Sequence, residues 1–351
     1  MAGEGGDRVG KLPRVATQEA RQEPRSSRQP SPSLGVATGA ASRLDRGAPS
    51  EACVCGNFTV PAMEHVTHPT QSAPASSSTQ RLLTAAVGTP VIVAGILLLT
   101  GPWFFLFTAL FFTWAALEYV GIVRPRAPHA PLAVLVVLVP LAALVMTLSL
   151  DPDREQQMLM ALGALTSVGI GSLVLLTRTP LDETMESLGI LAFGLPYFAV
   201  PIASIYRLQH RDPWLVFLLL AIVWLGDTAA FYVGSRFGRH KMAPTISPRK
   251  SWEGAAAGFC TGLAAGAAWS FWRRGGLEPE LLVLAAFTAA AAQVGDLVES
   301  MLKRGVGVKD SGHVLPGHGG LLDRCDALLF AAPVLQLGVC LLLPLPGVLK
   351  P

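Results

Sequence analysis

Charge is what this chain has least of. Only 15% of its 351 residues are Asp, Glu, Lys or Arg, against roughly 25% in a soluble domain. That shortage argues against an ordinary water-soluble enzyme. Cysteine is scarce too. The five present (Cys53, Cys55, Cys260, Cys325 and Cys340) build no framework. The first two sit too close together for the usual zinc pair, and no second pair follows. We read all five as structurally neutral. The first 80 residues lack apolar periodicity, and they lack the apolar core of a secretory signal. Rich in Ser, Pro, Ala, Gly and Arg, residues 1–80 read as a disordered polar extension. Arg and Ser would suit an organelle transit peptide, but Glu4, Asp7, Glu19 and Glu23 argue against one. Met63 is an alternative start, which would make the residues before it a mis-called leader. N-terminal sequencing that finds residues 1–62 intact would end that reading. The net charge of +3 says little by itself, and nothing in the chain points to nucleic acid.

What the chain has instead is apolar length. From Leu82 onward, runs near the ~20 residues of a bilayer-crossing helix recur. Nine spans are expected, at about 82–100, 102–123, 131–149, 157–177, 186–206, 214–234, 253–272, 281–301 and 326–347. The fold class is therefore an all-α polytopic integral membrane protein, with the membrane domain over 81–351. The loops after the even spans carry twelve cations. They are Arg124, Arg126, Arg178, Arg236, Arg239, Lys241, Arg249, Lys250, Lys303, Arg304, Lys309 and Arg324. The loops after the odd spans carry five: Arg154, Arg207, Arg211, Arg273 and Arg274. The positive-inside rule then puts the even loops in the cytoplasm, where nucleotides are found. In span seven, Gly254, Gly258, Gly262 and Gly266 recur every fourth residue. They form one small-residue face that admits a neighbouring backbone, inside a protomer or between two.

Two blocks carry the chemistry. The first runs from Trp224 to Gly254, the second from Asp296 to Asp326. Asp227 stands inside span six, and the loop after it supplies Arg236, Arg239, Lys241, Arg249 and Lys250 with Ser247 and Ser251. Several cations with hydroxyls suit an anionic ligand such as a triphosphate. The plainer reading is a loop that only sets topology. In the second block, Asp296, Ser300, Lys303 and Arg304 share one helical face. A carboxylate in an apolar helix is expensive, so Asp296 is either salt-bridged to Lys303 or Arg304 or is a metal ligand. Asp310, Asp323 and Asp326 add hard oxygen donors of the kind Mg²⁺ takes alongside phosphates and water. The turn Pro316-Gly317-His318-Gly319-Gly320 lets backbone approach a ligand closely and can cradle phosphate oxygens. No His/Cys cluster suits zinc, and His313 and His318 read as hydrogen-bonding loop residues. Glu118 is a lone acid in span two, read as a hydrogen-bonded bundle residue. Arg81, Arg124 and Arg126 read as interfacial anchors.

The pattern Ser-x-Leu-Lys-Arg-x4-Lys-Asp-x-Gly-x2-Leu-Pro-x-His-Gly-Gly-Leu-x-Asp-Arg-x-Asp over 300–326 closely resembles the signature of the phosphatidate cytidylyltransferase (CDP-diacylglycerol synthase) family. So does the upstream block with Asp227-Thr228, Gly234, Phe237-Gly238, Lys241, Pro244, Ile246-Ser247-Pro248, Lys250 and Glu253-Gly254. The resemblance is convincing from about 186 to 335, loose from 82 to 185 and absent before that. Cys325 departs from the family's usual aliphatic residue or Thr and touches no catalytic group.

The resemblance implies transfer of CMP from CTP to phosphatidic acid, with pyrophosphate leaving, for phospholipid biosynthesis. It implies Mg²⁺, as a metal pair, with a monovalent cation such as K⁺ also involved, and homodimers occur in the family. By position, Asp296 and Asp323 match the family's metal-binding acids, with Asp326 added to the metal set and Asp227 and Asp310 as further candidates. Lys303, Arg304, Lys309 and Arg324 are expected on phosphates, with Asp310 beside them in the catalytic group. Ser247, Lys250 and Ser251 are expected to position the nucleotide or the lipid phosphate. Asp227, Ser300, His318, Gly319 and Gly320 complete the substrate-binding set. The expected home is a bacterial inner membrane, with the site facing the cytoplasm and the lipid arriving laterally from the bilayer.

Two other functions compete. A CTP-dependent polyprenol-type kinase shares the need for CTP and metal but is attacked at a different phosphorus. An ion-coupled transporter would also use buried acids, yet no repeated halves with broken helices are visible. A CDP-alcohol phosphotransferase is disfavoured because its Asp-Gly-x2-Ala-Arg…Gly-x3-Asp-x3-Asp pattern is missing.

Overall fold

The computed structural model describes residues 78–148, 152–312 and 319–342. The expected polar extension, the Met63 start, Cys53, Cys55, His313, His318 and the Pro316–His318 part of the glycine turn lie outside the described residues. Within them the helices are α1 (Ser78–Leu98), α2 (Pro102–Val123), α3 (Leu135–Thr147, entered through a 3-10 turn at Leu132–Val134), α4 (Pro152–Leu176), α5 (Leu181–Arg211), α6 (Pro213–Phe237), α7 (Trp252–Arg274), α8 (Pro279–Gly305) and α9 (Leu322–Leu342). A helix overlaps each of the nine expected spans, without all nine being long and apolar enough to cross a membrane. Five of them, α2, α5, α6, α8 and α9, are long and apolar enough to cross a membrane by themselves. Shorter apolar stretches occur at Ala86–Leu98, Leu132–Thr147 and Gly163–Leu176. The protein is an all-α, multi-pass membrane protein. Among the described residues the one sheet is an antiparallel hairpin of β1 (Lys241–Ala243) and β2 (Ser247–Ser251), paired Lys241 to Ser251 and Ala243 to Ser247.

Local chemistry sets the helix borders. Pro102, Pro213 and Pro279 open α2, α6 and α8, where the missing N–H of proline is no loss. The Asp212 carboxylate accepts the Trp214 N–H at 3.0 Å at the start of α6. Ser251 Oγ accepts the Gly254 N–H at 3.2 Å at the start of α7. Each satisfies an otherwise orphaned donor. Gly275 ends α7 in the left-handed region, at φ 75°.

The glycine face of α7 is an internal seam. All four glycines are buried. A Cβ on Gly258 would come within 2.9 Å of the Gly226 carbonyl oxygen of α6, and one on Gly254 within 2.7 Å of the Ala230 carbonyl oxygen. A Cβ on Gly262 would lie 2.7 Å from the Ala289 Cβ of α8. So α7 lies in contact with α6 at its first half and with α8 at its second.

Contacts sort the loops by end. Arg126, just after α2, donates to the Gly305 carbonyl at the close of α8 at 2.5 Å. Arg304 Nε donates to the Ile246 carbonyl in the hairpin at 3.3 Å. The loops after α2, α6 and α8 therefore meet at one end. At the other end, Arg273 at the close of α7 pairs with Asp212 before α6 at 2.8 Å. This is the division that the alternating loop cations anticipate. Between the ends, Trp103, Leu110, Trp114, Phe231 and Phe287 are exposed, as side chains facing hydrocarbon would be.

Candidate active site

The site is built where α6, α8 and α9 bring their carboxylates to one cleft. Asp227, Asp296, Asp323 and Asp326 line a cavity of about 610 Å³ together with Lys241, Arg249 and Lys250 of the hairpin and Gln293 of α8. Three glycines make the approach possible. A Cβ on Gly295 would meet the Asp326 carbonyl oxygen at 2.7 Å, so α8 and α9 touch backbone to backbone beside Asp296 and Asp326. Gly234 and Gly254 line the same cleft where α6 meets α7. Gln293 Nε2 donates to the Ala255 carbonyl at 3.0 Å and fixes α8 against α7.

The hairpin delivers the cations. Its closing end is held by Glu253, whose carboxylate accepts the His240 N–H at 3.2 Å and contacts the His240 ring at 2.7 Å. Lys250 then reaches α8, where its Nζ lies 2.6 Å from Asp296 Oδ2. Of the two alternatives for Asp296, the salt bridge is thus made to Lys250 of the hairpin and not to Lys303 or Arg304 of its own helix, and this contact leaves the metal-ligand alternative open. Lys303 and Arg304 are two turns away, while β2 runs directly over the acid.

Lys303 is engaged elsewhere. Its Nζ sits 2.6 Å from Glu299 Oε2 and 2.6 Å from Asp323 Oδ1. Glu299 is 1% exposed, and an unpaired carboxylate there would be costly, so the lysine neutralises a buried acid and anchors α9 to α8. Asp323 is further occupied. It accepts the Gly320 N–H at 2.9 Å and the Ser311 N–H at 3.1 Å. Arg304 donates to the carbonyls of Ile246 and Val308. These contacts tie backbone together, a role the sequence did not suggest for Arg304, whose expected place was on phosphates.

Glu118 is the residue that holds the signature segment in place. Its carboxylate accepts the N–H groups of Leu321 (2.9 Å) and Leu322 (2.8 Å) and the Ser311 hydroxyl (3.1 Å). It thus caps the start of α9 from another helix, where a negative charge also suits the helix dipole. The glycines around it follow from this. A Cβ on Gly320 would collide with Ser311 Oγ and the Glu118 carboxylate, and Gly319 stands at φ 79° with Asp323 Oδ2 2.9 Å from where its Cβ would be. Only glycine fits that pair of positions.

Of the expected site residues, the cleft gathers Asp227, Lys250, Ser251, Asp296, Asp323 and Asp326. Ser251 is buried and its hydroxyl caps α7. Ser247 opens β2 behind the cleft. Ser300 is half-buried on α8, and Lys309 and Asp310 are exposed just before the undescribed residues 313–318. Arg324 is exposed on the other side of the first turn of α9, at a second cavity. Glu299 and Gln293 escaped sequence reasoning. Both lie on α8 within one turn of Asp296, which is the signal that points to them. Among the described residues no three acids, histidines or cysteines converge into a ready-made metal cage.

The fold is that of a multi-pass helical membrane protein, with acids and cations lining one polar cleft. The chain belongs to the Cytidylyltransferase family, whose pattern matches residues 79–342. It is similar to the phosphatidate cytidylyltransferase of Staphylococcus haemolyticus, at 41% identity over 170 residues that cover 47% of this chain and 65% of that protein. The phosphatidate cytidylyltransferase of Haemophilus influenzae is 42% identical over 138 residues, 36% of this chain and 48% of that protein. That of Staphylococcus epidermidis is 36% identical over 201 residues, 56% of this chain and 76% of that protein. The matched part thus spans 65% and 48% of the length of the first two relatives.

Proposed function

We propose that this protein transfers CMP from CTP to phosphatidic acid, giving CDP-diacylglycerol and pyrophosphate. The observation that carries the reading is the single cleft that holds Asp227, Asp296, Asp323 and Asp326 against Lys241, Arg249 and Lys250. An oxygen of the lipid phosphate attacks the α-phosphorus of CTP. The new P–O bond forms as the bond to the bridging oxygen breaks, and the electron pair leaves with pyrophosphate. The nucleophile is already an anion, so the chain need supply no strong base. Its task is to bring two polyanions together, which calls for fixed charge rather than covalent chemistry. Lys241 and Arg249 are placed to receive the triphosphate, and Lys250 links it to α8. Glu118 and Asp323 hold the 319–322 backbone in its turn.

The donor set also fits Mg²⁺. The lining acids offer hard carboxylate oxygens, and among the described residues no His or Cys lines the cleft. Asp227, Asp296, Asp323 and Asp326 would hold the ion together with substrate phosphates, because the acids alone form no closed cage. Bound there, Mg²⁺ would neutralise phosphate charge. The cation-rich end faces the cytoplasm by the positive-inside rule, and the compared relatives are bacterial, which supports an inner-membrane home. The test is the purified protein with phosphatidic acid, Mg²⁺ and CTP labelled at the α-phosphate. Label in the lipid with release of pyrophosphate is expected. Unlabelled phosphorylated lipid would instead mean a kinase.

A further inference from the structure

A second cavity, of about 380 Å³, lies between α1, α2, α6 and the first turns of α9. Its size falls within the range of small-molecule sites. It differs from the acid cleft in lining. Phe104, Phe112 and Leu220 are typical of its walls, and Arg324 is the one charged residue among the described residues that line it. The two cavities are back to back. Asp323 faces the acid cleft and Arg324, the next residue, faces the apolar one. On α6, Asp227 lines the first and Trp224, one turn earlier, the second.

The long axis of the cavity follows from the Glu118 contacts. Glu118 fastens α2 to Leu321 and Leu322. The lining residues Phe112, Thr108 and Phe104 then recede from Arg324 along α2. At 1.5 Å per residue, Phe112 to Phe104 covers about 12 Å. A slot of that length has a cation at one end, beside the phosphate-handling cleft, and hydrocarbon walls beyond it. Such a slot matches a molecule with an anionic head and an apolar tail.

We propose that this cavity seats one acyl chain of the lipid substrate, with the lipid phosphate held at Arg324 and presented around the first turn of α9 to the cleft. The inference rests on the transfer reaction above for its substrate, and on the cavity alone for its location. It makes Arg324 a residue of the lipid rather than of the nucleotide. It also makes the residues along α1 and α2 determinants of chain length.

Gly88 gives a clean test. It lines the cavity, and a Cβ added there meets nothing within 4 Å, so the side chain of Gly88→Phe starts in open space at the cavity wall, where its ring competes with a chain for the slot. A phenyl group in place of the chain should lower the ratio of kcat/KM for dioleoyl over dihexanoyl phosphatidic acid by about tenfold. Gly121→Phe, an exposed position away from the cavity with equally open space, should leave that ratio within about twofold of the unmodified protein. A second measurement needs no turnover. Phosphatidic acid brominated along its acyl chain should quench Trp224, so that the quenching of the unmodified protein exceeds that of Trp224→Phe. Brominated phosphatidylcholine should quench less. An unchanged chain-length ratio in Gly88→Phe, or quenching that ignores Trp224, overturns the acyl site. Equal quenching by both lipids overturns the role of Arg324. Quenching of Trp224 without any CDP-lipid product would uphold the site and overturn the transfer reaction. Should Gly88→Phe fail to reach the membrane, the quenching comparison decides alone.

Discussion

Lys250 Nζ lies 2.6 Å from Asp296 Oδ2, so one ion pair joins the hairpin to α8 across the cleft. Both side chains stay partly exposed, at 25% and 32%. A pair that wet stabilises a fold by only about 0–1 kcal/mol. On the proposed reaction, its value lies in placing a cation and an acid where two phosphates would meet. Asp296→Asn should therefore cut pyrophosphate release by about a hundredfold, the usual cost of one electrostatic group at a reacting centre. Its melting temperature in detergent should barely move. Near-normal turnover in the purified variant would remove Asp296 from the site.

Glu118 plays the opposite part, since it is buried and all of its described contacts are structural. In Glu118→Ala the N–H groups of Leu321 and Leu322 and the Ser311 hydroxyl lose their acceptor. An unsatisfied buried group costs about 1–3 kcal/mol, so this variant should melt earlier and lose most activity as the 319–322 turn loosens. Hydrogen exchange reads the cause directly. The Leu321 and Leu322 amides should exchange faster while those in the middle of α9 do not. Unchanged exchange at both would mean that the turn is held by something else.

The sequence made the acids and the glycines visible and hid their partners. Asp227, Asp296, Asp323 and Asp326 stand out because carboxylates are costly in apolar helices, and the four-residue glycine period of α7 can be read directly. The Asp296 partner could not be read, because helical spacing offered Lys303 and Arg304 on the same face. The true cation arrives on a two-stranded hairpin whose Ser-Pro-Arg-Lys-Ser strand has no apolar alternation to announce it. Lys303 was misleading for the same reason. Its target, Glu299, looks like an ordinary charged residue until α9 is packed beside it. Glu118 showed only that it needed hydrogen bonds; its partners lie 193 to 204 positions further on. Helix borders followed the capping residues more faithfully than the apolar runs. That is why α9 begins at Leu322 and carries Asp323 in its first turn.

The glycine face of α7 separates packing within a protomer from packing between protomers. Gly258 meets the Gly226 carbonyl of α6, and Gly262 meets Ala289 of α8. Gly258→Leu must push α7 off α6, and overpacking of this kind costs about 1–3 kcal/mol or more. The expected outcome is a lower melting temperature with no change in the mass of the detergent-solubilised species. A stable variant that merely changes its oligomeric state would place the seam between subunits instead.

Metal removal tests the chemistry of the whole cleft. The four acids that line it would repel the triphosphate of the proposed reaction, against the attraction of Lys241, Arg249 and Lys250. Asp296 and Asp323 are moreover already neutralised in part by Lys250 and Lys303. With no closed cage of protein ligands among the described residues, the proposed reaction would have its divalent ion held jointly by protein and nucleotide. EDTA should therefore stop pyrophosphate release reversibly, and excess Mg²⁺ should restore it. Mg²⁺ should also bind weakly without CTP and more tightly with it, which isothermal calorimetry on the purified protein can read. Turnover that survives exhaustive chelation would mean that the lysines and arginines carry the phosphate charge unaided, and the four aspartates would then need another explanation.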